Sequence, residues 1–398
     1  MNNKEFENNQ ETLNQELEKR LESNDLPDAN IMLAGKTGTG KSTLLNAIFG
    51  KNLAETGTGR PVTDHIDEYK NDDIPIRIWD TVGLELDSEK TRQSIEDIKR
   101  TIAKQVTNQN MFDRMHAIWY CITAGSNRYE GAEVEFIEEL HSVGVPFIIV
   151  LTQCYGSSKK IDEFVKIINE INTTRDMKDI KVVRVLAQEY EFEIEDKIIV
   201  KKPFGLEDLV KTTTDSLPEY IKTSFAAAQR VSQFEKRQEC IRIIYDYADA
   251  SERGFFDKIP LLNILTTNSK IKSMFNKLAK VYNIVIPLDK MEPLYEEFDG
   301  LRFTDKLSLL MPFKADFDRE VKEKLRKIDK KFEDKYKDLT YNHKTTNMII
   351  LYGCTFIDAS EEVWNRYTEE QLSDVDFVIR ELSARIKSRL AKRKSSSR

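Results

Sequence analysis

Gly35-Lys36-Thr37-Gly38-Thr39-Gly40-Lys41-Ser42 has the residue types and spacing to hold phosphate. This GxxxxGKS string follows an apolar run of strand length, Ile31 to Ala34, and leads into a helical run from Thr43 to Phe49. Glycines let successive backbone N–H groups turn inward on an anion, and a helix start adds a positive dipole. Lys41 would reach the outer phosphates of a nucleotide and Ser42 would offer its hydroxyl to Mg²⁺. Phosphate binding is therefore assigned to Gly35, Lys36, Thr37, Gly38, Thr39, Gly40, Lys41, Ser42 and Thr43.

A second string, Asp80-Thr81-Val82-Gly83, follows the apolar run Ile76 to Trp79. Asp80 would hold Mg²⁺ through water, and Gly83 would give its N–H to a γ-phosphate, making the segment behind it a natural switch. Between the two strings lies Gly57-Thr58-Gly59-Arg60-Pro61-Val62-Thr63. Thr63 is the threonine expected to close on the metal, with Thr58 in reserve. The expected metal set is Ser42, Thr63 and Asp80, and the expected catalytic set is Lys41, Thr63 and Gly83.

Such residues need a scaffold that brings strand ends together. From Asn30 to about Pro218, strand-length apolar runs (31–34, 76–79, 117–122, 147–151 and 182–186) alternate with helical periods such as Ile95, Ile98, Ile102 and Val106. That alternation predicts a mainly parallel sheet with helices on both faces. The stretch from Ile66 to Ile78, with Asn71-Asp72-Asp73 in its middle, predicts one antiparallel pair. Eleven of the 15 glycines fall before residue 160, so the second half has few interruptions to helix. Breaks are expected at Gly254, Pro260, Pro287, Pro293, Gly300, Pro312 and Gly353. The expected division is an amphipathic helix over 1–26, an α/β nucleotide domain over 27–218 and an all-helical domain over 219–398 with a basic tail.

With these motifs in place, the chain resembles the translation-factor-related P-loop GTPases of the Era-like, septin-like and immunity-related branches. GKTGTGKSTLLN, TGTGRPVT and WDTVGLE are especially similar to bacterial GTPases described as ribosome-binding, or of unknown role, that carry a helical C-terminal domain. The resemblance covers residues 30–218 and is looser beyond 220. It implies GTP and GDP as ligands with Mg²⁺, hydrolysis of GTP, and a nucleotide-dependent switch acting on the helical domain. It also implies a backbone contact from Ala187 to the base, and places Thr152 and Gln153 beside the base.

Two residues depart from the family pattern. Where the family has Asn or Thr, Lys, any residue and Asp, this chain has Thr152-Gln153-Cys154-Tyr155. Tyrosine cannot copy the paired hydrogen bonds by which an aspartate holds the guanine edge, so the residues leave ATP open beside GTP and leave Thr152 to pack on the base. Leu84 stands where many GTPases place the glutamine that orients the attacking water, which implies slow intrinsic hydrolysis or a group supplied from elsewhere, such as Arg60 or a partner. A nucleotide-gated binding module with little hydrolysis is the alternative this keeps open. A GTP-dependent homodimer through residues 57–63 and 84–88 is one way to complete the site.

Composition narrows the rest. The 398 residues carry 61 Lys and Arg against 68 Asp and Glu, a net charge of -7, with 40% hydrophobic and 32% charged residues. No apolar run approaches the roughly 20 residues a membrane-spanning helix needs. The start of the chain has no basic stretch followed by an apolar one, so a cytoplasmic location is expected. Cys121, Cys154, Cys240 and Cys354 show no CxxC, and His65, His116, His141 and His343 show no ligand spacing, so all eight read as structural. From Arg380 to Arg398 eight residues are basic and one is acidic, on a helix with Phe377, Val378, Leu382, Ile386 and Leu390 along one face. That end could meet RNA, a ribosome or an anionic membrane, the last in the manner of a dynamin-like GTPase, although a solvated helix face explains it as simply.

Overall fold

A computed structural model describes residues 26–50, 60–63, 66–70, 74–81, 89–126, 128–129, 131–194, 197–253, 267–299 and 344–396. The chain separates into two compact units, one over 26–235 and one from Lys236 onward.

The first unit is built on a seven-stranded sheet. Its strands are β1 (Ala29–Gly35), β2 (Arg60–Thr63), β3 (Ile66–Lys70), β4 (Ile76–Thr81), β5 (Ala117–Thr123), β6 (Phe147–Thr152) and β7 (Lys181–Arg184), in the order β2-β3-β4-β1-β5-β6-β7. β1 pairs in parallel with both β4 and β5, and β3 runs antiparallel to β2 and β4. The expected parallel sheet with one antiparallel strand is therefore present. All seven residues of β1 and all six of β6 are buried, because helices cover both faces and leave no polar side to alternate with. Those helices are α1 (Lys41–Phe49), α2 (Glu89–Val106), α3 (Ala132–His141), α4 (Ser158–Thr174), α5 (Leu206–Ser216) and α6 (Glu219–Ala228).

The compact units divide after Glu235, beyond the boundary expected at 218. Ile221, Phe225 and Ala228 of α6 lie in the core formed by β1, α1 and β5, and Phe225 meets the rings of Phe49 (6.2 Å) and Trp119 (6.4 Å) edge-on. Each such ring contributes about 1.5–3 kcal/mol by leaving water, so α6 belongs with the sheet. The turn beyond α6 is held by Gln229, which is fully buried and accepts the N–H groups of Val231 and Ser232. Arg230 donates its backbone N–H to the Ile48 carbonyl at 2.8 Å, at the far end of α1.

A hairpin of β8 (Tyr190–Ile194) and β9 (Lys197–Lys201), absent from the sequence-based expectation, stands apart from the main sheet. Ile198, Ile199 and Val200 on it are exposed.

The second unit is helical throughout its described part: α7 (Gln233–Arg253, whose first turn lies in the other unit), α8 (Thr267–Val281), α9 (Glu292–Asp299), α10 (Lys344–Arg366), α11 (Glu369–Ser373) and α12 (Val375–Ser396). Phe275 stacks on Phe356 at 4.5 Å and Phe298 lies against Tyr352 at 4.3 Å. The break expected at Gly353 is a correction: this residue sits inside α10, where an added Cβ would come within 2.6 Å of the Ile244 side chain. Glycine is there for close helix packing. Val378, Leu382, Ile386 and Leu390 are buried along α12, as their spacing predicts, while Phe377 packs edge-on against Tyr367. Arg385 binds Glu381 at 2.7 Å and Glu362 at 3.2 Å, and Arg389 binds Glu362 at 2.9 Å, so part of the basic end is committed to internal ion pairs.

The helix expected over 1–26, the turn at 71–73, Thr58, Gly83, Leu84, the 84–88 face, His65, His343 and the breaks at 254, 260, 300 and 312 lie outside the described residues. Among the described residues no helix is long and apolar enough to cross a membrane.

Candidate phosphate site at the ends of the strands

The loop from Gly35 to Gly40 leaves the end of β1 between β4 and β5. Gly35 has φ 142°, and a Cβ there would fall 2.5 Å from the Cys121 carbonyl oxygen of β5, so a side chain is excluded on both counts. The loop is pinned from outside by the end of β6. Thr152 donates its hydroxyl to the Thr39 carbonyl at 2.6 Å, and Gln153 donates its amide to the Gly38 carbonyl at 2.7 Å. In a trans peptide the N–H points opposite the C=O, so drawing the Thr39 carbonyl outward turns the Gly40 N–H toward the inside of the loop, while the Thr39 N–H donates to the Lys36 carbonyl at 3.4 Å. Thr39 also donates its hydroxyl to the Lys36 carbonyl at 2.8 Å, closing the first turn.

The helix α1 then starts with no side-chain cap at Gly40 and no acid in its first turn. Its leading N–H groups and dipole favour an anion. Lys36, Thr37 and Gly38 are exposed, Thr39 is buried, and Ser42 is exposed at the first turn with Thr43 half-buried beside it. Lys41 reaches back over the loop, donating to the Gly35 carbonyl at 3.1 Å, and its ammonium lies 4.0 Å from Asp80 Oδ1.

Asp80 sits on β4 directly opposite Asp67 of β3. Its Oδ1 is buried and has no hydrogen-bond partner among the described residues. Burial pushes its pKa up to about 6, Lys41 works against that, and Asp67 adds to it. A buried carboxylate oxygen with no donor is costly unless a cation meets it. This oxygen fits Mg²⁺, a hard cation that takes few protein oxygens and completes its shell with water and phosphate. Among the described residues there is no cluster of three or more acids, histidines or cysteines that could hold a metal by itself. Cys121 lies beneath the loop, fully buried, with its thiol pushed up to about 12 by burial, and reads as structural as expected.

Thr63 lies at the end of β2, placed by the strand. Ala187 is half-buried just beyond β7. Thr152, expected against the base, is instead 4% exposed with its hydroxyl spent on the phosphate loop. Gln153 takes a left-handed φ of 54° to make its own bond to the loop. Tyr155 stacks on Tyr190 of β8 with centroids 4.1 Å apart and planes 11° apart.

Two acids near the loop were not foreseen: Asp67, described above, and Glu133, which is buried in the first turn of α3 and lies 3.3 Å from Lys36. The signal for Glu133 was available, since Glu133, Phe136, Ile137 and Leu140 fall at i, i+3, i+4 and i+7 and share one helix face.

Residues 30–153 match the family model described as "50S ribosome-binding GTPase". A translocase of chloroplast 90 from Arabidopsis thaliana is 34% identical over 113 residues, 26% of this chain and 14% of that protein. The tRNA modification GTPase MnmE from Dichelobacter nodosus is 30% identical over 148 residues, 34% of this chain and 28% of that protein. The chain thus spans well under a third of either relative. Among solved structures, Toc33 from Arabidopsis thaliana in complex with Mg²⁺ and GMPPNP aligns at 19% identity and TM-score 0.34, covering 51% of this chain and 90% of that one. Era from Aquifex aeolicus bound to GDP and AlF₄⁻ aligns at 18% identity and TM-score 0.33, covering 56% of this chain and 67% of that one. Both scores are low, and neither likeness bears on what this chain binds. The matched family model and the loop, lysine and acid built on the ends of β1, α1 and β4 agree: residues 30–153 are similar to a GTPase domain of the P-loop type.

Proposed function

We propose that this chain binds GTP, hydrolyses it slowly to GDP and phosphate, and works as a nucleotide-dependent switch on its helical unit. The observation that carries the reading is the buried Asp80 oxygen, without a hydrogen-bond donor among the described residues and 4.0 Å from the Lys41 ammonium, beside an uncapped helix start. In this reading the N–H groups at Gly38 to Ser42 bind the phosphates, and Lys41 redirects its hydrogen bond from the Gly35 carbonyl to their outer oxygens. Mg²⁺, held by Ser42, by Thr63 and through water by Asp80, would neutralise the charge that builds on the transferred phosphoryl group. Thr152 and Gln153 contribute by keeping the loop in its binding shape. Leu84 has no group to orient water, which supports a slow intrinsic rate.

The test is titration of the purified full chain with fluorescent GTP, GDP and ATP analogues, with Mg²⁺ and with EDTA, followed by single-turnover phosphate release. GTP and GDP binding with Mg²⁺-dependent release is expected. Absence of binding to any of the three would overturn the reading; binding without release in a single turnover would leave a gated binding module.

A further inference from the structure

Glu133 has no part in the reading above, yet it is built into the structure as firmly as any residue of the loop. It is 6% exposed, and its carboxylate has two partners: the Tyr120 hydroxyl, donating at 3.2 Å, and the Lys36 ammonium at 3.3 Å. Such partners replace the water that a carboxylate gives up on burial. Tyr120 is fully buried on β5, its ring stacked on Phe147 at 6.3 Å and set edge-on to Phe136 at 5.9 Å, so the core aims its hydroxyl. Phe136, Ile137 and Leu140 seat α3 against the same core. Both supports of Glu133 are therefore rigid, whereas Lys36 belongs to the phosphate loop and is 47% exposed.

The loop is held on two flanks. On one, Thr152 and Gln153 take the carbonyls of Thr39 and Gly38; on the other, Glu133 takes the Lys36 side chain. We infer that Glu133 is a positioning residue for the nucleotide phosphates: acting through Lys36, it sets the first turn of the loop and draws that ammonium to the wall, leaving Lys41 to meet the phosphates. This rests on the GTP-binding reading. Lys36 is thereby a side-chain anchor of the loop, whose carbonyl takes the Thr39 hydroxyl.

The experiment is a double-variant cycle on the full chain, with Glu133→Ala, Lys36→Met and the pair, each read by KM and kcat for GTP, GDP affinity and melting temperature. Glu133→Ala and Lys36→Met should each raise KM about tenfold, on the scale that a misplaced binding group costs, with kcat little changed. The pair should lose about the same tenfold, because each variant breaks the same contact. Glu133→Gln, which keeps an acceptor for Lys36 but not the charge, should recover part of the loss. Additive losses, or a lowered melting temperature with KM unchanged, would make Glu133 a core acid only and overturn the inference. Should Glu133→Ala fail to fold, Lys36→Met decides, since Lys36 is half exposed: KM equal to that of the wild type sinks the proposal. A wild type that binds no guanine nucleotide overturns the GTP reading itself, an outcome visible before any variant is compared.

Discussion

The two ends of β1 handle buried polar groups in opposite ways. At the N-terminal end Asn30 gives its backbone N–H to His116 Nδ1 at 2.9 Å and its side-chain amide to the carbonyls of Phe112 (2.9 Å) and Arg114 (2.8 Å). Among the described residues, the atom of Asn30 left without a partner is a neutral amide oxygen. At the C-terminal end, five residues on, the leftovers among the described residues are a carboxylate oxygen at Asp80, an uncapped helix start and a lysine that holds a carbonyl and a distant acid. Satisfied groups hold a fold together, while unsatisfied charged ones mark where something else is meant to bind. The difference separates His116 and Asp80, two buried titratable groups, into scaffold and site.

The sharpest break in that comparison is Lys41→Ala. GTP affinity should fall by at least about a hundredfold, as expected for removing a cation aimed at phosphate, with little change in melting temperature. Fluorescent-nucleotide titration and calorimetry check both halves. Wild-type affinity with a normal melt would refute the assignment of the loop.

At the other end pH is the probe. Burial holds His116 down to about 4, below its ordinary 6.5, and Nδ1 accepts the Asn30 N–H, so a proton there would face another donor. The unfolded chain therefore takes up the proton first. Stability from this residue is complete above pH 6.5 and is lost as pH falls toward 4, in total on the order of 3 kcal/mol. Urea unfolding of wild type and His116→Gln across that window should give curves that converge on acidification. Parallel curves would mean that burial does not hold the His116 proton affinity down and would refute this prediction.

The smallest expected effect sharpens the site end. Tyr155→Asp restores a carboxylate acceptor where tyrosine now stacks on Tyr190. The GTP-to-ATP affinity ratio should rise by about tenfold, the scale of hydrogen bonds to a charged acceptor. An unchanged ratio would mean that guanine is read elsewhere or not at all.

Much of this was legible in the sequence, for physical reasons. Strands buried on both faces are continuous apolar runs, so β1, β4, β5, β6 and β7 could be seen directly, and GxxxxGKS fixed what β1 leads into. The hairpin β8–β9 escapes that reading because Tyr190-Glu191-Phe192-Glu193-Ile194 alternates with period two, and an exposed strand lacks the long continuous run of one buried on both faces. Gly353 was misjudged because glycine in a sequence cannot tell a helix end from a place where Ile244 presses against a helix. The jobs of Thr152 and Gln153 were hidden because they serve carbonyls of Thr39 and Gly38, more than a hundred residues earlier.

The way α6 and the turn after it are anchored also says where this chain can be divided. A fragment stopped at Pro218 would lack Ile221 and Phe225, leaving a hole over Phe49 and Trp119 at the back of the phosphate helix. It would also lose the Gln229 turn and the Arg230 bond to Ile48. Such a piece would carry every nucleotide motif intact and still fail in solution, its bared apolar face inviting aggregation. The shortest fragment worth expressing therefore runs past Ser232, where motif boundaries alone would have stopped too early.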